Sequence, residues 1–377
     1  MKVLVWSWNS ESARFSESVE SRRAESSIEW TGALPTLAIA CEPPSFVRAM
    51  AERVHEEQPE LVVVGLQEDP KPGSYWLSDA LPQLLTGYAL LEKTRLMGVG
   101  LTTWTRCYSM RGLRLSVFVK QDWAPAQHIQ ASVYEHVCRG AALTRNKGGV
   151  AIVLDIPGHG KLELINAHLP FDSSSLGTFR QRHEAKQKQA DHLEQLHAAL
   201  VLGAVQPLAD HVILMGDLNF RLDVFLTDEP STVGPQGIAD RLFPEFAELG
   251  PNAVYRKRDE LLQVLEQSAW LRGYREGADD QGPDFAPTCK LRKQRPAESA
   301  ELSLDWLRST LQVQAEHGSL GPRTPGFADR ILFRSFAGHH GTSAADSHSL
   351  RCTAYERWDL SPLSDHAAVM AVLDLTA

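Results

Sequence analysis

Acidic and amide side chains stand next to six short apolar segments of this 377-residue chain. Four of the segments run into such groups, and two begin with them. Carboxylate and amide oxygens are the ligands that Mg²⁺ prefers, and several carboxylates at one place repel each other unless a cation neutralises them. The groups are Asn9, Glu68, Asn166 with His168, Asp217 with Asn219, Asp329, and Asp365 with His366. If they meet, they predict a magnesium site, whereas zinc is disfavoured because no His or Cys pair has ligand spacing.

Each of these positions also has an ordinary structural explanation. Asp and Asn are common turn residues and helix N-caps after a strand. A lone histidine at a strand end, such as His168, is in most proteins a satisfied structural group. The coincidence of all six positions favours one shared site over six unrelated turns.

The apolar segments have the length and the Val and Ile content of β-strands. Hairpin-length turns such as residues 158–160 require antiparallel neighbours, which favours a mixed sheet over a doubly wound parallel one. If the two strands that begin with polar groups run antiparallel to the other four, all six sets reach one rim of a sheet. The strands are predicted at residues 3–6, 61–66, 99–104, 113–119, 150–156, 162–165, 212–215, 331–333 and 367–373, and helices at 46–54, 181–200 and 261–271.

Composition limits the classes of function. The chain has 38 Lys and Arg against 47 Asp and Glu, and the net charge of -9 opposes a general attraction to nucleic acid. Five scattered cysteines without CxxC spacing indicate reduced thiols, and hence a cytoplasmic location. No stretch approaches ~20 apolar residues, so we expect peripheral membrane contact at most.

Seven short motifs occur in the order found in inositol polyphosphate 5-phosphatases, which the chain resembles from Trp8 to His366. That family is similar to the larger endonuclease/exonuclease/phosphatase superfamily, which shares the Asn, Glu, Asp-x-Asn and Ser-Asp-His elements. The resemblance implies one catalytic domain over residues 1–377 with a DNase I-like α/β fold, a four-layer sandwich of two packed mixed β-sheets flanked by helices. The motifs are Leu-Gln-Glu (66–68), Asn-Lys-Gly-Gly-Val (146–150), Asn-Ala-His-Leu (166–169), Gly-Asp-Leu-Asn-Phe-Arg (216–221), Pro-Thr-Cys-Lys (287–290), Pro-Gly-Phe-Ala-Asp-Arg-Ile-Leu (325–332) and Ser-Asp-His (364–366).

The resemblance also implies the catalytic roles. Asp217 would act as the general base toward water, and Asn219 would orient the phosphate or the nucleophile. His366, paired with Asp329, would stay cationic enough to hydrogen-bond the phosphate, and His168 would contact the same phosphate.

Metal and substrate ligands follow from the same match. Glu68 would hold Mg²⁺, with Asn9 and Asp365 helping to place the ion or its waters. A plain hairpin explains the two glycines after residues 146 and 147 equally well. The residues expected to bind substrate are Lys290, Arg330, Asn146 and Lys147.

The reaction implied is the magnesium-dependent removal of the 5-phosphate from inositol polyphosphates, from phosphoinositide headgroups, or from both. The sequence does not choose between them, because the reacting headgroup is the same. A magnesium-dependent nuclease of the same superfamily is one alternative, opposed by the acidic charge and by the elements around Lys290 and Arg330. A catalytically weak phosphoinositide-binding scaffold is the other, opposed by the intact acidic residues and His366.

Two departures from the family concern specificity. Cys289 stands where most members carry Tyr, and the lost hydroxyl implies that discrimination for the 4-phosphate is weaker or differently built. The segment 295–324 is longer than usual, and Leu302, Trp306 and Leu307 predict an amphipathic helix there. Such a helix would be a lid, a membrane-facing element or a decoration.

Overall fold

The computed structural model describes residues 1–10, 45–70, 80–100, 109–138, 147–171, 179–200, 209–224, 235–269, 271–292, 295, 302–313, 324–336, 349–360 and 363–376. Within these ranges, twelve strands form two mixed sheets of six strands each. The sheets pack face to face and helices cover their outer faces. The predicted DNase I-like α/β sandwich is therefore confirmed.

The first sheet is built around the amino-terminal strand. That strand pairs in parallel with the strand that follows it in the chain and antiparallel with the last strand. In spatial order the sheet contains β11 (Ser349–Trp358), β12 (Ala368–Thr376), β1 (Lys2–Asn9), β2 (Leu61–Pro70), β4 (Ser109–Lys120) and β3 (Tyr88–Gly100).

The second sheet repeats this arrangement, since it also has a central parallel pair with an antiparallel neighbour. In spatial order it contains β5 (Gln130–Val137), β6 (Gly148–Ile156), β7 (Gly160–His168), β8 (His211–Asp217), β10 (Asp329–Ser335) and β9 (Arg275–Glu276). The parallel pair is β7 with β8, and β10 runs antiparallel to β8.

The main core lies between the two sheets. Alternate residues of each strand face it, as the twofold period of a strand requires. Val3 and Val5 of β1 contribute from one sheet, and Ile213 and Met215 of β8 contribute from the other. Gly65 on β2 allows close approach here, because a Cβ atom at this position would lie 2.8 Å from Met215 Sδ.

Helices complete the outer layers. α1 (Ser45–Glu57) and α2 (Leu81–Leu84) pack on the first sheet, and α3 (Phe179–Leu200) packs on the second. The helices α4 (Pro235–Leu249), α5 (Pro251–Arg258) and α7 (Leu304–Thr310) form a further apolar cluster, while α6 (Glu260–Gln267) joins α3. Among the described residues, none of the helices has the length and apolar character needed to cross a membrane.

The helix predicted near residue 302 is α7. The Ser303 side chain caps it by accepting a 3.2 Å hydrogen bond from the backbone N of Trp306. Trp306 and Leu307 are buried against the cluster formed with α4 and α5. The apolar side of this helix therefore packs inside the protein, while much of the remaining segment 295–324 lies outside the described residues.

Candidate active site

Six strand termini meet at one rim of the sandwich. β1 and β2 end there, as do β7 and β8, while β10 and β12 begin there because they run antiparallel to their neighbours. The two sheets touch directly at this rim, since Asn9 Nδ2 donates a 2.8 Å hydrogen bond to Asp217 Oδ2. The predicted convergence of the polar groups is confirmed as geometry, and their roles stay predictions.

Asp217 lies at the centre of the rim and is 2% exposed. Its Oδ2 atom accepts from Asn9 and lies 3.3 Å from His168 Nε2 and 4.0 Å from His366 Nε2. Its Oδ1 atom accepts a 3.0 Å hydrogen bond from the backbone N of Asn219. The carboxylate is thus held on both oxygens.

The backbone around Asp217 requires particular residues. Gly216 has φ 134°, and a Cβ atom there would lie 1.9 Å from the carbonyl oxygen of Ala167 on the neighbouring strand. Asn219 has φ 59°, in the left-handed region that Asn tolerates better than most residues. Its Nδ2 atom donates a 2.8 Å hydrogen bond to the carbonyl of Leu169. These two positions turn Asp217 and Asn219 toward the same space.

The two imidazoles beside Asp217 differ in their preferred charge. Burial lowers the pKa of His168, and the nearby Lys147 ammonium lowers it further. Burial also lowers the pKa of His366, but the Asp329 and Asp217 carboxylates together outweigh burial and the Lys290 charge, and the net pKa is raised. Burial alone would raise the pKa of Asp217, yet His366 and His168 outweigh it and hold that pKa well below its usual range. The central carboxylate is therefore ionised at neutral pH.

His366 is oriented by a carboxylate and by the start of β12. Its Nδ1 atom lies 2.8 Å from Asp329 Oδ2. Its backbone N donates to Ser364 Oγ, which in turn donates to the carbonyl of Asn9. The expected His366–Asp329 pair is present, and Ser364 ties it to the end of β1.

Lys290 reaches the same rim from a loop. Its Nζ atom lies 3.0 Å from Asp365 Oδ2 and 2.9 Å from His366 Nε2. Burial lowers the pKa of Lys290, but Asp365 together with smaller contributions such as that of Asp217 outweighs burial, so the pKa is raised and the ammonium is retained. With His366 Nδ1 bonded to Asp329, the 2.9 Å contact requires Nε2 to act as acceptor. If His366 Nε2 were protonated, it could no longer accept a hydrogen bond from Lys290, and the Lys290 ammonium would then pair with Asp365 alone.

Glu68 and Asn9 are neighbours at the ends of β2 and β1. Asn9 pairs with Gln67 across the parallel strands, and Ser10 Oγ donates to the carbonyl oxygens of both Gln67 and Glu68. Glu68 is half-buried and has φ 53°. Its charge contributes to raising the pKa of His168, although burial and Lys147 prevail there. The expected metal ligands are thus close to the catalytic candidates.

A family model described as Endonuclease/Exonuclease/phosphatase family 2 matches residues 6–372 of the chain. The chain belongs to endonuclease/exonuclease/phosphatase family 2. The wider group comprises hydrolases that act on phosphoesters and typically use divalent metal ions. No curated protein matches the chain significantly.

Solved structures support the fold of this endonuclease/exonuclease/phosphatase domain. The inositol polyphosphate 5-phosphatase domain of SPsynaptojanin, in complex with inositol (1,4)-bisphosphate and calcium ion, is 17% identical with a TM-score of 0.56, covering 99% of this chain and 83% of that one. A Cimex nitrophorin, as its ferrous NO complex, is 15% identical with a TM-score of 0.57, covering 100% and 99%. Because a nitrophorin shares it, the fold alone does not identify the activity.

The side chains at the rim fit the divalent ion that endonuclease/exonuclease/phosphatase enzymes use. Mg²⁺ is bound in proteins by one or two carboxylates, together with water and substrate phosphate. Glu68 offers a carboxylate, and Asn9 offers an amide oxygen because its nitrogen faces Asp217. Asp365 is engaged by Lys290, which suits a role in placing waters. Among the described residues, no group of three or more His, Cys, Asp or Glu side chains forms a metal cluster, so the fit rests on oxygen donors of mixed type.

Arg330, predicted to bind substrate, lies elsewhere. It is 0% exposed, and its guanidinium donates to Glu276 at 2.6 and 2.8 Å and to Asp259 at 2.9 Å. Asp329 and Arg330 are consecutive on β10, so their side chains point to opposite faces of the sheet. The prediction that Arg330 contacts substrate is wrong in this structure, because two carboxylates already occupy it inside the protein.

The two residues before the glycine pair have different outcomes. Asn146 lies outside the described residues. Lys147 is half-buried and its Nζ atom contacts His168 Nε2. Because the same nitrogen faces Asp217, it either accepts from Lys147 or donates to Asp217. Lys147 is therefore at the rim, where its contact with substrate stays a prediction.

Sequence reasoning missed the role of two sets of residues in this family 2 domain. Asn166 Nδ2 donates to the carbonyls of Leu66 and Arg114, and Gln67 Nε2 donates to Asn166 Oδ1 at 2.6 Å, so buried amides join the two sheets below the rim. Arg221 contacts the side chain of Asn219. Asn166, Gln67 and Arg221 all lie within the sequence motifs given above. A polar residue inside an otherwise buried segment was the sequence feature that could have identified them.

Proposed function

We propose that this chain is a magnesium-dependent phosphomonoesterase that removes the 5-phosphate of inositol polyphosphates, of phosphoinositides, or of both. The observation that most supports this is Lys290, whose ammonium is fixed beside Asp365 and His366 at the rim. A substrate that carries several phosphates requires such a fixed cation beside the scissile group. The net charge of -9 further disfavours a long polyanionic substrate.

Asp217 is the proposed general base. A base must be ionised, oriented and within hydrogen-bond reach of the attacking water. Asn9 and the backbone N of Asn219 orient the carboxylate, and the flanking imidazoles keep it ionised. Asp217 would take a proton from water as the oxygen attacks phosphorus. The bond from phosphorus to the ring 5-oxygen would break at the same time, and that oxygen would leave as a hydroxyl group after taking a proton from solvent water, so the products are inorganic phosphate and the dephosphorylated ring.

Asn219, His366 and His168 are the proposed phosphate contacts. Asn219 Nδ2 has a second hydrogen beyond the one given to Leu169, and it would donate to a phosphoryl oxygen. His366 Nε2 would exchange its contact with Lys290 for a phosphate oxygen, with Asp329 stabilising the imidazolium. His168 would donate to the same group.

Mg²⁺ held by Glu68 and Asn9, with Asp365 placing its waters, would stabilise the charge that spreads over the phosphoryl oxygens. The chain itself would supply the base, the amide donor and the cations. No step in this account needs a covalent enzyme intermediate, because the base activates water directly.

Cys289 bears on the choice among ring phosphates. The thiol is 0% exposed and faces Arg221 NH1 rather than the open rim. Burial raises its pKa to about 12, so it stays a neutral thiol at physiological pH. We propose that contacts to a 4-phosphate come from Lys290 and not from residue 289.

A nuclease of the same family is the second candidate, favoured by the burial of Arg330. The deciding experiment measures inorganic phosphate released from inositol polyphosphates and short-chain phosphoinositides, with single- and double-stranded DNA as further arms. Mg²⁺ and EDTA conditions are compared, and Asp217→Asn is the inactive control. We expect Mg²⁺-dependent release from the inositol compounds alone. DNA cleavage without phosphate release from inositol substrates would overturn the proposal in favour of the nuclease.

Comparison of the soluble and lipid arms separates the two substrate sources. If phosphate is released from the soluble inositol phosphates and from the phosphoinositides at similar kcat/KM, the enzyme recognises the headgroup alone. Tight binding of inositol phosphates in Mg²⁺ without any turnover would support the non-catalytic scaffold instead.

A further inference from the structure

Arg221 is a buried arginine directly behind the proposed catalytic amide. It is 5% exposed and its NH2 atom donates a 2.9 Å hydrogen bond to Asn219 Oδ1. Its NH1 atom contacts Cys289 Sγ, and its Cζ atom lies 5.1 Å from the centroid of the Phe171 ring. The guanidinium is thus held on three sides by an amide, a thiol and an aromatic face.

The Arg221 guanidinium interacts electrostatically with the carboxylates of the rim, although it does not line the rim. Burial alone would lower the pKa of Arg221, but the carboxylates of Asp217, Asp365 and Asp329 raise it, so the charge is retained. Its backbone is fixed as well, since the N atom donates to Glu260 Oε2 at 3.0 Å. A buried positive charge therefore lies against Asn219.

The Asn219 carboxamide is held at both of its polar atoms. Nδ2 donates to the Leu169 carbonyl, and Oδ1 accepts from Arg221. A contact at one atom would leave the amide plane free to rotate about that contact, whereas contacts at both atoms fix it. Acceptance from a cation also polarises the amide, which strengthens the remaining N–H as a donor.

We propose that Arg221 is a positioning residue that fixes and polarises the Asn219 carboxamide, so that its second N–H points at the phosphoryl group during hydrolysis. This inference rests on the proposed role of Asn219 in phosphoester hydrolysis. It does not depend on which phosphoester is the substrate.

Cys289 explains how the guanidinium keeps this position. NH1 contacts the buried thiol, which stays neutral at physiological pH and so does not compete with Asn219 Oδ1 for the charge. Lysine at position 221 could donate to Asn219 Oδ1 but could not contact Cys289 at the same time, because its ammonium is a single point. We therefore expect Arg221→Lys to rescue activity only in part.

The test is a double-mutant cycle of Arg221→Met and Asn219→Ala, with kcat and KM measured separately. The substrate is whichever phosphoester the wild type hydrolyses. We expect Arg221→Met to lower kcat ~10–100-fold with KM changed less than ~3-fold, and Arg221→Lys to recover part of kcat. In the Asn219→Ala background, Arg221→Met should lower kcat by less than ~3-fold further.

Equal losses of kcat in both backgrounds would overturn the positioning role, because Arg221 would then act independently of Asn219.

Arg258→Met is the matched control, since Arg258 is equally buried but pairs with Glu245 away from the rim. It should lower stability while kcat stays within ~2-fold of wild type. If Arg221→Met does not fold, the cycle is run with Arg221→Lys under the same criterion. If the wild type hydrolyses another phosphoester but no inositol substrate, only the proposed function is overturned. If the wild type hydrolyses no phosphoester at all, the proposed function and the positioning role of Arg221 are both overturned.

Discussion

Asp217 on β8 and Asp329 on β10 are direct partners in the antiparallel register of the second sheet. Both face the space between the sheets, and His366 lies between them, 2.8 Å from Asp329 Oδ2 and 4.0 Å from Asp217 Oδ2. A single pair of strands thus places the proposed base and the carboxylate that orients the imidazole at the same level. Hydrogen bonding of the strand backbones sets this spacing, so side-chain changes at either position should leave it intact.

Asp217→Asn should lower kcat by ~10²–10⁴-fold, because a neutral amide cannot take the proton of water. Asn at this position keeps the size of the side chain but turns an N–H donor toward either Asn9 Nδ2 or the backbone N of Asn219, so one hydrogen bond and some stability should be lost while the strand register is kept. Steady-state phosphate release in saturating Mg²⁺ checks this, together with the thermal unfolding midpoint. Wild-type turnover by the variant would show that another group is the base.

Lys290→Met should raise KM for substrates with several phosphates by ~10-fold, with a smaller effect on kcat. The methionine keeps the length of the side chain and removes the charge beside Asp365. Lys257→Met is a suitable control, because Lys257 is exposed and pairs with Glu245 outside the rim. If KM is unchanged while Lys257→Met behaves like the wild type, Lys290 does not bind substrate.

The rim could be predicted because its polar groups directly adjoin apolar strands. β1, β2, β7 and β8 each consist of a buried apolar run followed by Asn, Glu, His or Asp, and that transition is visible in the residues alone. The edge strands were missed for the opposite reason. β5 and β11 bury few of their side chains, and their sequences mix polar and apolar residues without an apolar run. The predicted strand at 99–104 lies mostly outside the described residues, and β3 begins well before it at Tyr88.

Individual side-chain contacts were harder to predict than the rim. Arg330 was expected to contact substrate because of its family motif, yet it directly follows Asp329 on a strand, and adjacent residues in a strand face opposite ways. Arg221 was not recognised, since its contact with Asn219 depends on the left-handed turn at φ 59° and on a cysteine 68 positions further along the chain. Both depend on tertiary contacts that spacing does not encode.

Arg330→Met should lower the free energy of unfolding by about 3–5 kcal/mol, because it leaves Asp259 and Glu276 buried without their shared cation. KM of the folded fraction should be unchanged, since the arginine is 0% exposed. Urea unfolding and steady-state kinetics at low temperature measure the two quantities on one preparation. A selective rise in KM at unchanged stability would restore the original prediction of substrate contact.

Glu163→Gln should stabilise the protein in a manner that depends on pH. Glu163 lies on β7, is 1% exposed, and burial raises its pKa from 4.5 to about 8. The folded protein therefore retains a proton that the unfolded chain releases above its own pKa, so the free energy of unfolding falls as pH rises from 4.5 to about 8. Across that window the loss approaches about 4 kcal/mol.

The glutamine does not titrate, so its advantage over the wild type should be small near the lower end of that window and should grow toward the upper end. Urea midpoints of both proteins at several pH values within the window give the difference directly, because all other titrating groups are shared. A difference that stays constant across the window would mean that Glu163 is not a protonated, buried carboxyl group in the folded protein.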